Sequence, residues 1–228
     1  MKIMLCGPAG VGKTTLAKFI AEHLEIPFIE GSAKEITSQY KNHSEYLNAV
    51  LVNPKLAMEI NTEILNRRST LRLEYPDFVT DRSTIDCLAY GTFEMAHQTP
   101  DGDMGEFINR CVHGVLDIDW LIHVGISHDQ PEIEDNNIRT PHYAFNNLID
   151  LLIKDGYQKY GHIIKAVNPK LRFQKINFWD LETRKQFLLE MLQTDGITYS
   201  KPFQKNLKKK IAEDKKTLGE GFKGRKNG

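Results

Sequence analysis

Short apolar runs alternate with longer segments of helical periodicity along most of the chain. The runs KIMLCG, IPFIE, DFVTD and DWLIHVGI have the length and composition of buried strands, and HIIKAV is a fifth candidate. The predicted strands cover residues 2–7, 26–30, 77–81, 119–126 and 162–167. Apolar residues recur every three or four positions between them, which predicts helices over residues 14–24, 33–46, 54–74, 83–96, 104–117, 143–154 and 181–192.

This alternation of strands and helices predicts an α/β fold with a five-stranded parallel sheet that carries helices on both faces. The chain has 228 residues, 40% of them hydrophobic, which suits one sizeable core. The prediction is one domain over residues 1–195 and a separate tail over residues 196–228. A polar, proline-containing segment at 128–141 is predicted to be a loop that can close over a ligand.

A glycine-rich segment follows the first predicted strand and precedes the first predicted helix. The sequence GPAGVGKTT matches the pattern GxxxxGK[ST] from Gly7 to Thr14. Such a loop points several backbone N–H groups at a phosphate, and the helix N-terminus adds a positive dipole. Lys13 is expected to hold the β- and γ-phosphates, and Thr14 to ligate Mg²⁺. The expected nucleotide-binding residues are Gly7, Pro8, Ala9, Gly10, Val11, Gly12, Lys13, Thr14 and Thr15.

The third predicted strand ends in Asp81-Arg82-Ser83. A carboxylate at the tip of a neighbouring strand faces the phosphate loop in sheets of this kind. Asp81 is therefore a candidate either to position Mg²⁺ or to take the proton of an attacking hydroxyl. A structural role as the cap of the following helix is the alternative. Arg82 is a candidate to bind the acceptor or to neutralise charge that develops during transfer.

Composition narrows the class of protein further. No apolar run approaches the ~20 residues of a membrane span, and the first strand starts too early to leave room for a signal peptide. The three cysteines have no paired or metal-ligand spacing, which is typical of reduced thiols in a cytoplasmic protein. No NKxD guanine signature occurs in the chain. A membrane protein, a structural metal site and a GTPase are thus not expected.

Five segments together resemble one known family. GPAGVGKTT, FIEGSAKEI, LAMEINTEIL, FVTDRSTIDCLAY and EDNNIRTPHYAFNNLIDLLI occur in the order found in the ribosylnicotinamide-kinase-like AAA-domain family of P-loop proteins. That family is related to nucleoside and nucleoside-monophosphate kinases. The resemblance implies a sheet in the order 2-3-1-4-5. It also implies ATP with Mg²⁺, and phosphoryl transfer to a hydroxyl or phosphate of a small nucleotide-like acceptor.

The resemblance also assigns residues outside the phosphate loop. Glu30 and Lys34 fall on positions that bind the acceptor, although an arginine is commoner at the second. Arg139 matches a lid arginine that closes over the ATP phosphates. A surface or helix-cap role for Glu30 and a solvated loop position for Arg139 are the competing interpretations.

The C-terminal tail differs from the rest in charge. Residues 201–228 contain ten Lys or Arg and three acidic residues, whereas the whole chain has no net charge. A basic tail is either a solvated segment or an arm that binds nucleic acid. Three hypotheses follow: a kinase for free nucleosides or nucleotides, a kinase for a hydroxymethylated base within DNA, and a nucleotide-dependent binding protein with slow turnover. The sequence favours kinase chemistry and does not identify the acceptor.

Overall fold

The structure, a computed structural model, describes residues 1–31, 33–127 and 143–194, apart from the side chains of Lys34, Leu71, Arg72 and Thr194. Within these residues the strands are β1 (Lys2–Cys6), β2 (Phe28–Ile29), β3 (Phe78–Thr80), β4 (Trp120–Val124) and β5 (Arg172–Ile176). The helices are α1 (Lys13–Leu24), α2 (Lys34–Thr37), α3 (His43–Leu51), α4 (Pro54–Glu74), α5 (Thr84–Met95), α6 (Asp101–His113), α7 (Tyr143–Val167) and α8 (Leu181–Thr194).

The five strands form one parallel sheet in the order β2-β3-β1-β4-β5. Side chains of β1 alternate between its two faces, as a two-residue period requires. Ile3 and Leu5 pack with residues of α1 and α8, whereas Met4 and Cys6 pack with residues of α5, α6 and α7. The predicted α/β class and strand order are confirmed. Because β1 is central, the loop that follows it lies at the carboxyl edge of the sheet between its two neighbours.

The predicted fifth strand is wrong. Residues 162–167 continue helix α7, and β5 lies further along the chain, where Arg172–Ile176 pairs in parallel with β4. Within HIIKAV, Ile164 is buried while Ile163 and Val167 are exposed, so only the helical spacing from Ile153 onward explains the burial. Burial of one helical face outweighed the strand preference of these β-branched residues.

Two predicted helices also have different bounds. The segment 33–46 contains α2 and the start of α3, separated by a break where Asn42 caps α3 by accepting a hydrogen bond from the Glu45 N–H at 2.9 Å. Helix α6 begins at Asp101, directly after Pro100, and ends at His113 rather than at residue 117. A proline at the start of a helix costs no helical hydrogen bond, because the N–H that it lacks would have no partner within the helix.

None of the helices among residues 1–31, 33–127 and 143–194 combines the length and apolar character that crossing a membrane requires.

Candidate active site

The glycine-rich loop joins β1 to α1 and curls at the carboxyl edge of the sheet. Gly7, Gly10 and Gly12 have φ angles of 147°, 79° and 88°. A Cβ added to Gly7 would lie 2.2 Å from the carbonyl oxygen of Val124 at the end of β4, so this position accepts only glycine. The loop is therefore pressed against the end of β4, and it leads directly into the N-terminus of α1, where an anion is favoured.

Lys13 is the first residue of α1 and is only 5% exposed. Its ammonium group donates hydrogen bonds to the carbonyl oxygens of Gly7 at 2.7 Å and Pro8 at 2.5 Å, within the loop. Burial, with a further contribution from the Arg82 guanidinium, lowers the pKa of Lys13 to about 7. The buried cation gains stability from an anion placed beside it, which fits a phosphate in the loop.

Thr14 and Asp81 come together across two elements. The Thr14 hydroxyl donates to Oδ2 of Asp81 at 2.5 Å, and the Gly31 N–H donates to Oδ1 at 2.9 Å. Both carboxylate oxygens of Asp81 are thus oriented, one towards the phosphate loop and one towards the segment after β2. Asp81 does not cap helix α5, because Ser83 is the capping residue.

Gly31 is closely surrounded. A Cβ at this position would lie 2.5 Å from Cβ of Arg82 and 2.9 Å from the Thr80 hydroxyl, so a side chain would push β2 away from β3. Its carbonyl oxygen accepts a hydrogen bond from Nε of the buried Arg68 at 3.2 Å. Arg68 also donates to the Ser83 carbonyl oxygen at 3.2 Å, and so ties α4 to the segment that follows β3.

Asp86 forms hydrogen bonds both with the phosphate loop and with the start of α5. It completes a capping box with Ser83 at the start of α5, where its Oδ2 accepts from the Ser83 N–H at 2.8 Å. Its Oδ1 accepts from the Gly7 N–H at 3.2 Å. Burial alone would raise the pKa of Asp86, but the charges of Arg82, Lys13 and Arg68 outweigh it and hold the pKa below its ordinary value. Asp86 is therefore an anion that fixes the loop to α5.

The guanidinium of Arg82 also lies at the phosphate loop, beside Asp86. Nη1 lies 3.3 Å from the Gly7 carbonyl oxygen and 3.3 Å from Oδ1 of Asp86, and the guanidinium carbon lies 6.0 Å from the centre of the Tyr90 ring. Burial would lower the pKa of Arg82, but Tyr90, Asp86 and Asp81 raise it. The guanidinium is thus a positive charge that its contacts with Gly7 and Asp86 fix beside the phosphate loop.

A cavity of about 580 Å³ opens in front of these residues. The phosphate-loop wall contributes Ala9, Gly10, Gly12, Lys13, Thr14 and Thr15, together with Asp81, Arg82 and Asp86 from the ends of β3 and α5. The opposite wall is built by Glu30, by residues between 33 and 43, and by the helices α3, α4 and α5. Its members include Glu30, Tyr40, His43, Tyr46, Asn61, Arg68, Tyr90 and Glu94.

The structure brings most of the sequence-predicted residues to this cavity. Gly7, Pro8 and Val11 do not line it. The Val11 side chain is buried in the core, and its carbonyl oxygen accepts a hydrogen bond from Arg184 of α8 at 2.5 Å. Glu30 is exposed and lines the cavity. The Lys34 side chain, Arg139 and the whole tail 196–228 lie outside the described residues, and so do their predicted roles.

Sequence reasoning missed several residues that shape the site. Asp86 carried a signal in the capping pattern Ser83-x-x-Asp86, and Gly31 carried one as a glycine directly after a predicted strand. Arg68 and Glu94 carried none, since both lie within helices that only the tertiary packing brings to the cavity.

Known proteins resemble this chain in part of its sequence and in its fold. Residues 3–58, roughly a quarter of the chain, match the family described as "ATPase family associated with various cellular activities (AAA)". No curated protein matches the chain in sequence.

Solved structures resemble a larger part of the chain. Deoxyadenosine kinase from M. mycoides with bound dCTP has a TM-score of 0.57 at 14% identity, covering 85% of this chain and 100% of that one. Thymidylate kinase from Candida albicans has a TM-score of 0.54 at 12% identity, covering 86% of this chain and 92% of that one. NadR protein in complex with NR has a TM-score of 0.51 at 15% identity, covering 75% of this chain and 45% of that one. At such identities the likeness concerns the fold, and the chain has the α/β fold of P-loop kinases.

Proposed function

We propose that the protein is an ATP-dependent kinase that transfers the γ-phosphoryl group to a hydroxyl or phosphate of a nucleoside or nucleotide. The observation that carries this proposal is the continuous cavity. It runs from the phosphate loop to a second wall built by α3, α4 and α5, so a second molecule has room beside a bound triphosphate. A switch or a motor would need the phosphate loop alone, whereas a kinase needs an acceptor site that adjoins it.

The residues of the loop fit magnesium-bound ATP. The Thr14 hydroxyl and the Asp81 carboxylate are 2.5 Å apart and supply hard oxygen ligands. No group of three or more His, Cys, Asp or Glu side chains suited to a metal occurs among the described residues. That agrees with Mg²⁺, which takes most of its ligands from phosphates and water in such sites. When bound, Mg²⁺ neutralises charge on the β- and γ-phosphates.

The residues of the phosphate-loop wall then have distinct roles. Lys13 would hold the β- and γ-phosphates, Thr14 and Asp81 would hold the metal, and Arg82 would neutralise negative charge that develops on the leaving group. Because both oxygens of Asp81 are already oriented by Thr14 and Gly31, metal positioning suits it better than proton abstraction. Arg139 would add a second positive charge from the lid, and Glu30 and Lys34 would contact the acceptor.

The reaction balances without another reactant. The bond from the γ-phosphorus to its bridging oxygen breaks, and a bond from that phosphorus to the acceptor oxygen forms. ADP leaves, and the proton of an acceptor hydroxyl passes to a carboxylate or to solvent.

Replacing Asp81 with Asn tests the proposal. The substitution keeps the shape but removes the charge, so we expect turnover to fall by about 100- to 1,000-fold while ATP affinity stays nearly unchanged. Asp155→Asn is the matched control, because Asp155 is exposed on α7, away from the cavity. Wild-type turnover in the Asp81 variant would remove Asp81 from the mechanism.

The acceptor class is tested with labelled ATP and a panel of free nucleosides, nucleotides, and plain or hydroxymethylated DNA. We expect label in a free nucleoside or nucleotide. Support for this class comes from the fold neighbours, which include a deoxyadenosine kinase and a thymidylate kinase. Label in hydroxymethylated DNA alone would replace the free acceptor by a base in a polymer. Label in inorganic phosphate alone would contradict the kinase proposal.

A further inference from the structure

A polar group closes the end of the cavity that lies away from the phosphate loop. Glu94 of α5 is only 1% exposed and lines the cavity. Its Oε2 accepts hydrogen bonds from the Tyr46 hydroxyl of α3 at 2.8 Å and from Nδ2 of Asn61 of α4 at 2.7 Å. Three helices thus converge on one carboxyl group, and Glu94, Tyr46 and Asn61 are called the Glu94 cluster below.

Two oxygen atoms of the Glu94 cluster accept no hydrogen bond from the residues that the structure describes. Asn61 donates both of its amide N–H groups, one to Glu94 and one to the Ala57 carbonyl oxygen at 3.0 Å, and its Oδ1 is an acceptor. Oε1 of Glu94 accepts no hydrogen bond from the residues that the structure describes. The cluster therefore presents two acceptor oxygens at the cavity, where N–H groups of a ligand can donate to them.

The position of the cluster suits recognition of a molecule larger than a small alcohol. Glu94 lies ten residues after Thr84, the first residue of α5, which corresponds to about 15 Å along a helix. Arg82 and Asp81 immediately precede that helix. An acceptor whose oxygen reacts beside Asp81 needs an extended body to reach Glu94, as a nucleoside or nucleotide has.

We propose that the Glu94 cluster selects an acceptor that carries an exocyclic amino group, by accepting its N–H hydrogen bonds. This inference rests on the proposed function and names the class of nucleobase. An amino group offers two N–H donors to acceptor oxygens, whereas an oxo group in its place would set lone pairs against lone pairs. Amino purines and amino pyrimidines are thus favoured over their oxo counterparts.

The protonation state of Glu94 agrees with this selection. Burial raises the pKa of Glu94 to about 7, against the hydrogen bonds from Asn61 and Tyr46 that lower it. The ionised form, which accepts without donating, is therefore accessible at pH 8 and scarce at pH 6. A ligand N–H beside Oε1 favours that form.

Burial favours the neutral forms of the other His, Tyr and Cys side chains near the cluster whose pKa values are shifted. His43 and Tyr46 of α3, Arg68 of α4, and Cys87 and Tyr90 of α5 also line the cavity. Burial lowers the pKa of His43, raises that of Tyr46 and, against the opposing effect of the Arg cations, raises those of Cys87 and Tyr90. A guanidinium stays protonated. Lys13 also titrates near pH 7, but it faces the phosphates, so its effect cancels between ligands that differ only in the base.

The experiment measures equilibrium binding by calorimetry, with a non-hydrolysable ATP analogue present. Matched ligands are adenosine against inosine and cytidine against uridine, as nucleosides and as 5′-monophosphates. For the full-length wild-type protein at pH 8 we expect the amino ligand of one pair to bind about 10- to 100-fold more tightly than its oxo partner. Glu94→Gln should abolish most of that ratio. Glu106→Gln, an exposed glutamate of α6, should keep it.

A second measurement uses the wild-type protein alone. The ratio should shrink when the pH falls from 8 to 6, because Glu94 then takes up a proton and stops accepting. This readout stands even if Glu94→Gln does not fold. Equal binding, an oxo preference, absence of binding by every ligand, or a ratio that does not change with pH would each overturn the inference. Turnover is assayed separately, so discrimination in binding without transfer would contradict the kinase proposal and leave the Glu94 cluster as a recognition site.

Discussion

The two walls of the cavity are built in different ways. On the phosphate-loop wall, the polar groups of Gly7, Lys13, Asp81 and Asp86 form hydrogen bonds with one another, with neighbouring backbone or, for Asp81, also with the Gly31 N–H after β2. On the opposite wall, the Glu94 cluster keeps acceptor oxygens that no described residue fills. A wall that is complete within itself suits a ligand part that never varies, such as a triphosphate. A wall with open acceptors suits the part that distinguishes one substrate from another.

The largest expected effect comes from breaking the phosphate-loop wall at Gly7. Gly7→Ala places a Cβ 2.2 Å from the Val124 carbonyl oxygen at a φ of 147°, so we expect a loss of stability of about 3–5 kcal/mol and no measurable ATP binding. Gly105→Ala is the control. A Cβ at that helical position meets nothing within 4 Å, so about 0.5–1 kcal/mol of added stability is expected. Denaturant unfolding and calorimetry measure both, and an unaffected Gly7 variant would contradict the close packing of the loop.

The next effect is the contribution of Glu94, on the opposite wall, to the pH dependence of the protein's stability. The pKa of Glu94 is about 7 in the folded protein against an ordinary value of 4.5, so folding favours the neutral form. Stability from this group is complete below pH 4.5 and is lost as the pH rises through 7, a change of about 3 kcal/mol. Glu94→Gln should remove that part of the pH dependence in denaturant unfolding. A variant with the wild-type pH profile would show that Glu94 is not buried as described.

The smallest effect is the uptake of a proton by Lys13, on the phosphate-loop wall, when an ATP analogue binds. The pKa of Lys13 is about 7, chiefly because of burial, and phosphates beside Nζ should raise it. ATP-analogue binding should therefore take up about half a proton at pH 7 and close to one at pH 8. Calorimetry in buffers of different ionisation enthalpy measures this uptake. Lys13→Arg should show none, and equal uptake in both proteins would assign the proton to another group.

Much of the fold followed from local patterns. The first four strands and most helices were predicted from apolar runs and periodicity, and the strand order followed from the family resemblance. The fifth strand was wrong, because RFQKI at the sheet edge has exposed basic residues and no apolar run, whereas HIIKAV has the composition of a strand and lies in a helix. Edge strands are commonly charged in this way.

The sequence alone identified the residues of the phosphate-loop wall, since the motif from Gly7 to Thr15 and the Asp81-Arg82-Ser83 segment are each contiguous in the chain, although the sheet brings Thr14 and Asp81 together. Tertiary structure alone decided the opposite wall. Glu94 meets Tyr46 across 48 positions of the chain and Asn61 across 33, and no local period records such contacts. The packing of three helices brings these side chains together, and burial among them raises the pKa of the Glu94 carboxyl group.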